Sequence, residues 1–314
     1  MRLRPMCWIV LALLGATVEA QITEQRPIDT RTSLIQPGSE PRLLLRYKFV
    51  PGQFVRYEMR TTMTVLTQHG QAQLKAANET QLWRHYRVIS ADDAGSAVLE
   101  PVVDRVRMSA QTDTLAPVTY DSQLDAEPPR DFAEVARSVG RPFGRFHYSS
   151  TGELLKITVL PDAPPHLQAA GDNPDPVWSF LIPLPEEPVG TGAIWRDRFQ
   201  VPVIVGEGLQ QKVTLQRQFT LTNLIDGVAH IEFRTSVLNV INNPQVEGQL
   251  LQRTPSGTIV FDPNQGVIVT QTSRVDQTAI NALGPNTRLH ARSESTERLL
   301  SPASAAYQPS NDSR

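Results

Sequence analysis

The second half of this chain repeats the first in weakened form, and a repeated run of strands leaves few folds open. In the first half, Phe54-Val-Arg-Tyr-Glu-Met59 leads to Leu82-Trp-Arg-His-Tyr-Arg-Val88. The turn Asp92-Asp-Ala-Gly95 and then Phe146-His-Tyr-Ser-Ser-Thr-Gly-Glu-Leu-Leu155 follow. In the second half, Ile194-Trp-Arg-Asp-Arg-Phe199 leads to Leu215-Gln-Arg-Gln-Phe-Thr-Leu221. Here the turn is Asp226-Gly227, followed by Ile259-Val-Phe-Asp-Pro-Asn-Gln-Gly-Val-Ile268. The order is the same and every element reads as strand. Tyr57 pairs with Trp195, Gly95 with Gly227, and Tyr148 with Phe261. An insertion over 109–145 in the first copy, crossed in the second by the shorter Asn242–Ser256, accounts for the shrinking offset.

The expected fold is all-β: two tandem antiparallel β-meander units, curved sheets related by internal duplication, with one short inserted helix. Alternation is clearest after Pro51-Gly52. Val55, Tyr57, Met59, Thr61, Met63 and Val65 fall on one face, and Arg56, Glu58, Arg60, Thr62 and Thr64 on the other. Side chains alternate across a strand, so one face is buried and one is wet, as in an antiparallel sheet. Leu45–Phe49 reads as a half-buried strand, as do Trp83–Ser90, Ala97–Met108, Gly266–Thr272 and a strand near Thr287–Leu300. The helix is expected at 131–139, where Phe132, Val135, Ala136 and Val139 share a face. Asp131 and Glu134 suggest its cap and Gly140 its end.

The first unit should run over 43–160 and the second over 191–300. A proline-rich connector at 161–190 joins them, partly packed through Trp178, Phe180, Leu181 and Ile182. Proline cannot donate to a ladder, so a connector or an edge is the natural place for it. Residues 21–42 and 301–314 are polar and read as a disordered leader and tail. Residues 1–20 read as a secretory signal: Arg2 and Arg4, the apolar run Cys7–Ala16, then Val18-Glu19-Ala20. That run is shorter than the roughly 20 residues of a membrane span, so no span is expected after cleavage. The expected location is secreted or periplasmic.

Cys7, the single cysteine, lies inside this signal, which removes disulfides and thiolate chemistry from the mature chain. Taking Arg2, Arg4 and Glu19 from the 30 basic and 32 acidic residues leaves 28 and 31, a net near −3. Such a balance gives no electrostatic case for nucleic acid.

Four phrases together, Leu45-Arg-Tyr-Lys-Phe-Val-Pro-Gly52, Tyr120-Asp-Ser122, Pro183-Leu-Pro-Glu-Glu-Pro-Val-Gly190 and Gly257-Thr-Ile-Val-Phe-Asp-Pro-Asn-Gln-Gly266, resemble an uncharacterised family of exported β-rich proteins of planctomycete-type bacteria. The resemblance covers roughly 43–300. It implies a bacterial envelope setting and a fold, and carries over no catalytic residue. A looser similarity, of fold only, is to the curved sheets of periplasmic lipoprotein carriers.

The motifs of hydrolase elbows, zinc proteases, phosphate loops and dinucleotide folds are absent from the sequence. His69, His85, His147, His166, His230 and His290 are not spaced for a shared metal. Asp92-Asp93 reads as turn capping, Glu186-Glu187 as a solvated pair, and Asp262 with Asn264 as turn chemistry in preference to a calcium loop. Trp83, Trp178 and Trp195, with Tyr57, Phe219 and Phe261, read as sheet core, the alternative being a concave apolar groove for a lipid or peptide. Matching positions are turn glycines and aromatics, whereas His85 faces Gln218 and Ser149 faces Asp262. Any site is therefore expected at 109–145 or at Pro161–Pro188. No catalytic, cofactor or metal residue is nominated. The expected function is that of a non-catalytic envelope protein binding an apolar ligand or protein partner through a sheet surface. The alternatives are a structural or assembly component, or a hydrolase with an unrecognised site.

Overall fold

A computed structural model describes residues 32–113, 115–161, 163, 179–206 and 208–301. The expected signal, the leader up to residue 31, most of the connector including His166 and Trp178, and the tail from 302 lie outside the described residues. The first half holds β1 (Ser33–Gln36), β2 (Phe54–His69), β3 (Ala72–Ala91), β4 (Ala97–Thr112), β5 (Val118–Asp121), α1 (Ala133–Ser138), β6 (Gly144–Tyr148) and β7 (Leu154–Val159). The second holds β8 (Ile194–Val205), β9 (Leu209–Ile225), β10 (Val228–Val237), α2 (Pro244–Leu250), β11 (Ser256–Asp262), β12 (Val267–Ile280) and β13 (Thr287–Leu299).

The expected all-β class stands, and the two meanders form one sheet. Its order is β1-β8-β9-β10-β11-β12-β13-β2-β3-β4-β6-β7, with β5 beside β4. The last strand of the second copy joins the first strand of the first, from Thr287 opposite His69 to Leu299 opposite Tyr57. The copies correspond strand for strand: β2 with β8, β3 with β9, β4 with β10, β6 with β11 and β7 with β12. Gly95 and Gly227 both sit at φ +79° in matching turns. Tyr148 and Phe261 are both fully buried.

This sheet must bend strongly. Strands lie about 4.8 Å apart, so β9 and β6, eight steps apart in the order, would stand about 38 Å apart if the sheet were flat. Instead Phe146 and Tyr148 of β6 share one core cluster with Trp195 of β8 and Phe219 of β9. Two segments outside the sheet fill that concave face and belong to the same cluster: Leu45 and Tyr47, and Leu181, Ile182, Leu184 and Val189 of the connector.

The first of these segments is tied to equivalent turns of the two copies. Tyr47 N donates to Ser150 O at 3.0 Å in the β6–β7 turn, and Lys48 N to Gly266 O at 3.3 Å in the β11–β12 turn. A Cβ on Gly152 would stand 2.4 Å from the Tyr47 ring, and one on Gly266 would stand 2.3 Å from Lys48 N. Both glycines have positive φ, so only glycine suits either turn.

Several expectations are corrected here. Leu45–Phe49 alternates as read, but its backbone bonds go to turns, so it is no strand. Residues 33–36, placed in the disordered leader, form β1 and pair with β8. The helix expected at 131–139 is a 3-10 turn, Arg130–Phe132, running into α1, and its N-terminus has no side-chain cap. A second helix, α2, occupies the shorter crossing. Asn243 Oδ1 accepts from Gln245 N at 2.9 Å and Pro244 starts the helix. Asn-Pro opens turns as readily as helices, and seven residues give little periodicity to read.

On the outer face, Trp83 does not join the core. It lies beneath two guanidiniums, Arg105 at 4.9 Å and Arg107 at 5.6 Å. Both reach Asp121, Arg105 Nη2 at 2.6 Å and Arg107 Nε at 2.6 Å. The Arg105 bond foremost, aided by Arg107 against a desolvation cost, holds the Asp121 carboxyl well below its ordinary value of 3.8. A depressed folded value adds stability that is fully present above the ordinary value and is lost as pH falls below it toward the lowered folded value. Asp121→Asn should therefore be less stable than wild type at pH 7, with the gap narrowing from about pH 5 downward. Urea midpoints at pH 7 and pH 3 test this; a gap independent of pH refutes the assignment.

Candidate functional site

Beside the aromatic cluster, the concave face holds a cavity of about 400 Å³, within the usual range for small-molecule sites. Strands of both copies line it, through Met59, Leu82, Arg84 and Arg217 among others. The connector supplies Phe180, Leu181 and Ile182, and Phe143 stands just before β6. Of the two segments where a site was expected, the insertion contributes Phe143 to this lining and the connector Ser179–Ile182. Most of the lining comes from the matched strands.

The lining is apolar on β2, β3, β4 and β6 and in the connector, through Met59, Leu82, Pro101, Val103, Phe146 and Phe180, and polar on β12 and β13, through Gln271, Ser273, Ser295 and Glu297, with Arg84 of β3 and Arg217 of β9 added. Ser295 and Glu297 alternate inward on β13 between exposed Glu294, Thr296 and Arg298. Thr61 of β2 reaches Ser295 at 2.9 Å.

The two arginines hold the same place in the two copies of Leu-x-Arg-x-aromatic, Leu82 to Tyr86 and Leu215 to Phe219. Sequence reasoning set His85 against Gln218 and Ser149 against Asp262, and passed over this polar match. Each arginine stacks on aromatic rings: Arg84 over Phe180 at 5.4 Å, and Arg217 over Phe199 at 5.6 Å and Phe219 at 5.2 Å. Their acids differ. Arg84 Nε and Nη2 both reach Glu297 Oε1 of β13, at 2.7 and 2.6 Å. Arg217 Nη2 reaches Asp197 Oδ2, directly across from it on β8, at 2.5 Å. Asp197 is buried, and Arg217 Nε is buried with no hydrogen-bond partner.

Four tyrosines border the same interior. Burial pushes the phenols of Tyr47, Tyr57, Tyr86 and Tyr148 above their ordinary value. They stay neutral, and their hydroxyls serve the frame. Tyr47 Oη bridges Ile182, and Tyr57 Oη donates to Ile268 O at 3.0 Å.

The other candidates stand apart. His85 of β3 pairs through Nδ1 with Asp104 at 2.7 Å, on the outer face beside Phe54. His147 of β6 meets Thr158 at 3.0 Å, and His290 of β13 meets Asp276 at 2.7 Å. His230 lies on β10. Among the described residues these histidines are not gathered, and no group of three or more His, Cys, Asp or Glu is placed to hold a metal. Asp92 caps its turn by accepting from Ser96 N at 2.8 Å. Asp262 does the same for Asn264 N at 2.8 Å and Gln265 N at 3.2 Å. Glu186 and Glu187 are exposed. Tyr57, Trp195, Phe219 and Phe261 are core, as read.

No family model and no curated protein matches the chain. Among solved structures it is similar to one titled "Lipid-protein interactions in lipovitellin", with 14% identity and a TM-score of 0.45, covering 84% of this chain and 27% of that one. It is also similar to the structure of DynF from the dynemicin biosynthesis pathway of Micromonospora chersina, with 8% identity and a TM-score of 0.20, covering 89% of this chain and 95% of that one. No helix among the described residues is long and apolar enough to cross a membrane.

Proposed function

We propose that this chain is an exported, non-catalytic binding protein that takes a small amphipathic molecule into the concave cavity. The observation that carries the reading is the cavity itself: about 400 Å³, lined from both copies by apolar side chains together with inward serines, a glutamine, a glutamate and two arginines. A core built only for stability would close on itself, because unfilled volume forfeits packing energy. Here the aromatic cluster is packed to full burial at one end while space remains beside it. The N-terminal segment and the family resemblance support the exported setting. The non-catalytic part is favoured by the placement of the histidines on separate strands, away from the cavity.

Titration calorimetry with dodecanoate and with dodecanol tests the reading on the full chain, alongside native mass spectrometry for a co-purified molecule. At least one amphiphile should bind with one-to-one stoichiometry. Leu82→Trp, which places an indole in the cavity, should weaken that binding by about tenfold or more, or about 1.4 kcal/mol. Saturable binding by neither amphiphile, with nothing retained from purification, would sink the proposal.

A further inference from the structure

The two arginines that occupy matching places in the repeat also say what kind of molecule fits. Resting on the cavity reading above, the geometry points to a single-chain amphiphile with an anionic oxygen head, held by Arg84 and Arg217 while its chain lies along the Met59–Leu82–Phe180 wall. A guanidinium carries five N–H donors in a fixed fork and no acceptor. Asp197 engages Nη2 of Arg217, and Nε of the same side chain is buried without any partner. Glu297 receives Nε and Nη2 of Arg84 on one oxygen. Glu297 thus occupies the Nε–Nη2 edge of Arg84, whereas Asp197 takes one donor of Arg217 and leaves its Nε open.

Stacking completes that orientation. With Phe199 and Phe219 near its faces, the Arg217 guanidinium offers further hydrogen bonds only from its edge, the geometry that suits a carboxylate or phosphate. A buried, charged donor left unpaired is costly, and an acceptor brought by a ligand removes that cost. The remaining polar lining, Gln271, Ser273 and Ser295, supplies neutral groups that accommodate the other head oxygens. The repeat thus contributes one cation per copy to a single shared site, which is a use of duplication distinct from two equivalent centres.

The test compares three probes of equal chain length, dodecanoate, dodecyl phosphate and dodecanol, on the full chain. Both anions should bind at least about tenfold tighter than the alcohol, the worth of one charge-assisted hydrogen bond. In Asp197→Asn/Arg217→Gln, which removes both charges together and leaves neither buried alone, the preference should fall to about twofold or less, with alcohol binding kept. Arg84→Gln/Glu297→Gln should reduce it as well. A ratio between the two anions identifies the head the site prefers. If dodecanol binds as tightly as the anions, or the preference survives both double variants, the headgroup inference is overturned while the cavity reading stands. If no probe binds, both are overturned. Circular dichroism of each variant separates a lost fold from a lost contact.

Discussion

Trp195→Ala is expected to lower the stability of the whole sheet by about 3–5 kcal/mol, the range for deleting a large buried aromatic. Trp195 is the largest fully buried side chain, at 0% exposure. It stacks on Phe219 with ring centroids 5.3 Å apart and planes at 13°. Its Nε1 donates to Pro183 O at 3.0 Å, so one residue packs β8 against β9 and anchors the connector in the concave face. Truncation removes the packing, opens a void that the neighbouring Phe219 ring cannot fill, and strands a buried carbonyl. Trp195→Phe separates these effects: it keeps most of the ring and loses the donor, and should cost about 1–3 kcal/mol. Trp83→Ala is the control. That ring lies on the outer face under Arg105 and Arg107, and its loss should cost about 1 kcal/mol. Urea midpoints of the three variants decide the matter. A Trp83→Ala loss equal to that of Trp195→Ala would contradict the assignment of faces.

The contrast between the two tryptophans shows what was legible in the sequence. Alternation located β2, β4, β12, β13 and the later half of β3, missed β5, β10 and the Ala72–Leu82 half of β3, and on β2 sorted the faces correctly. On β3 hydropathy misled where parity did not. Tyr86 and Val88 are buried, so positions of the same parity, Leu82 and Arg84, face inward, while Trp83 and His85 face out. Reading Trp83 as core put the wrong face of β3 inward and left Arg84 out of consideration. The junction of β13 with β2 was illegible for another reason. A period of two fixes which face is buried but not which strand lies alongside, and Leu299 stands opposite Tyr57 from the other end of the chain. β1, with four residues, was too short to show any period. α2 was overlooked because its cap, Asn243-Pro244, also opens turns.

Asp197→Ala should cost about 3–5 kcal/mol, as expected when one member of a buried ion pair is removed and the other is left without its counter-charge. Asp197 is 6% exposed, and its partner Arg217 lies between Phe199 and Phe219 with Nε already unpaired. Nothing close at hand in the described structure replaces the lost carboxylate, and Glu297 is engaged by Arg84. Replacing both members, as in Asp197→Leu/Arg217→Met, should recover most of the loss, because well-packed apolar groups of similar volume are as stable as a buried pair or more so. The single-variant deficit and the double-variant recovery, read together from urea midpoints as a mutant cycle, measure the coupling. A double variant as unstable as Asp197→Ala alone would mean that the pair is not coupled and that Asp197 acts through some other contact. A restored double variant has a sharper consequence. It would show that the fold does not need a cation at this position, which the proposed headgroup role requires.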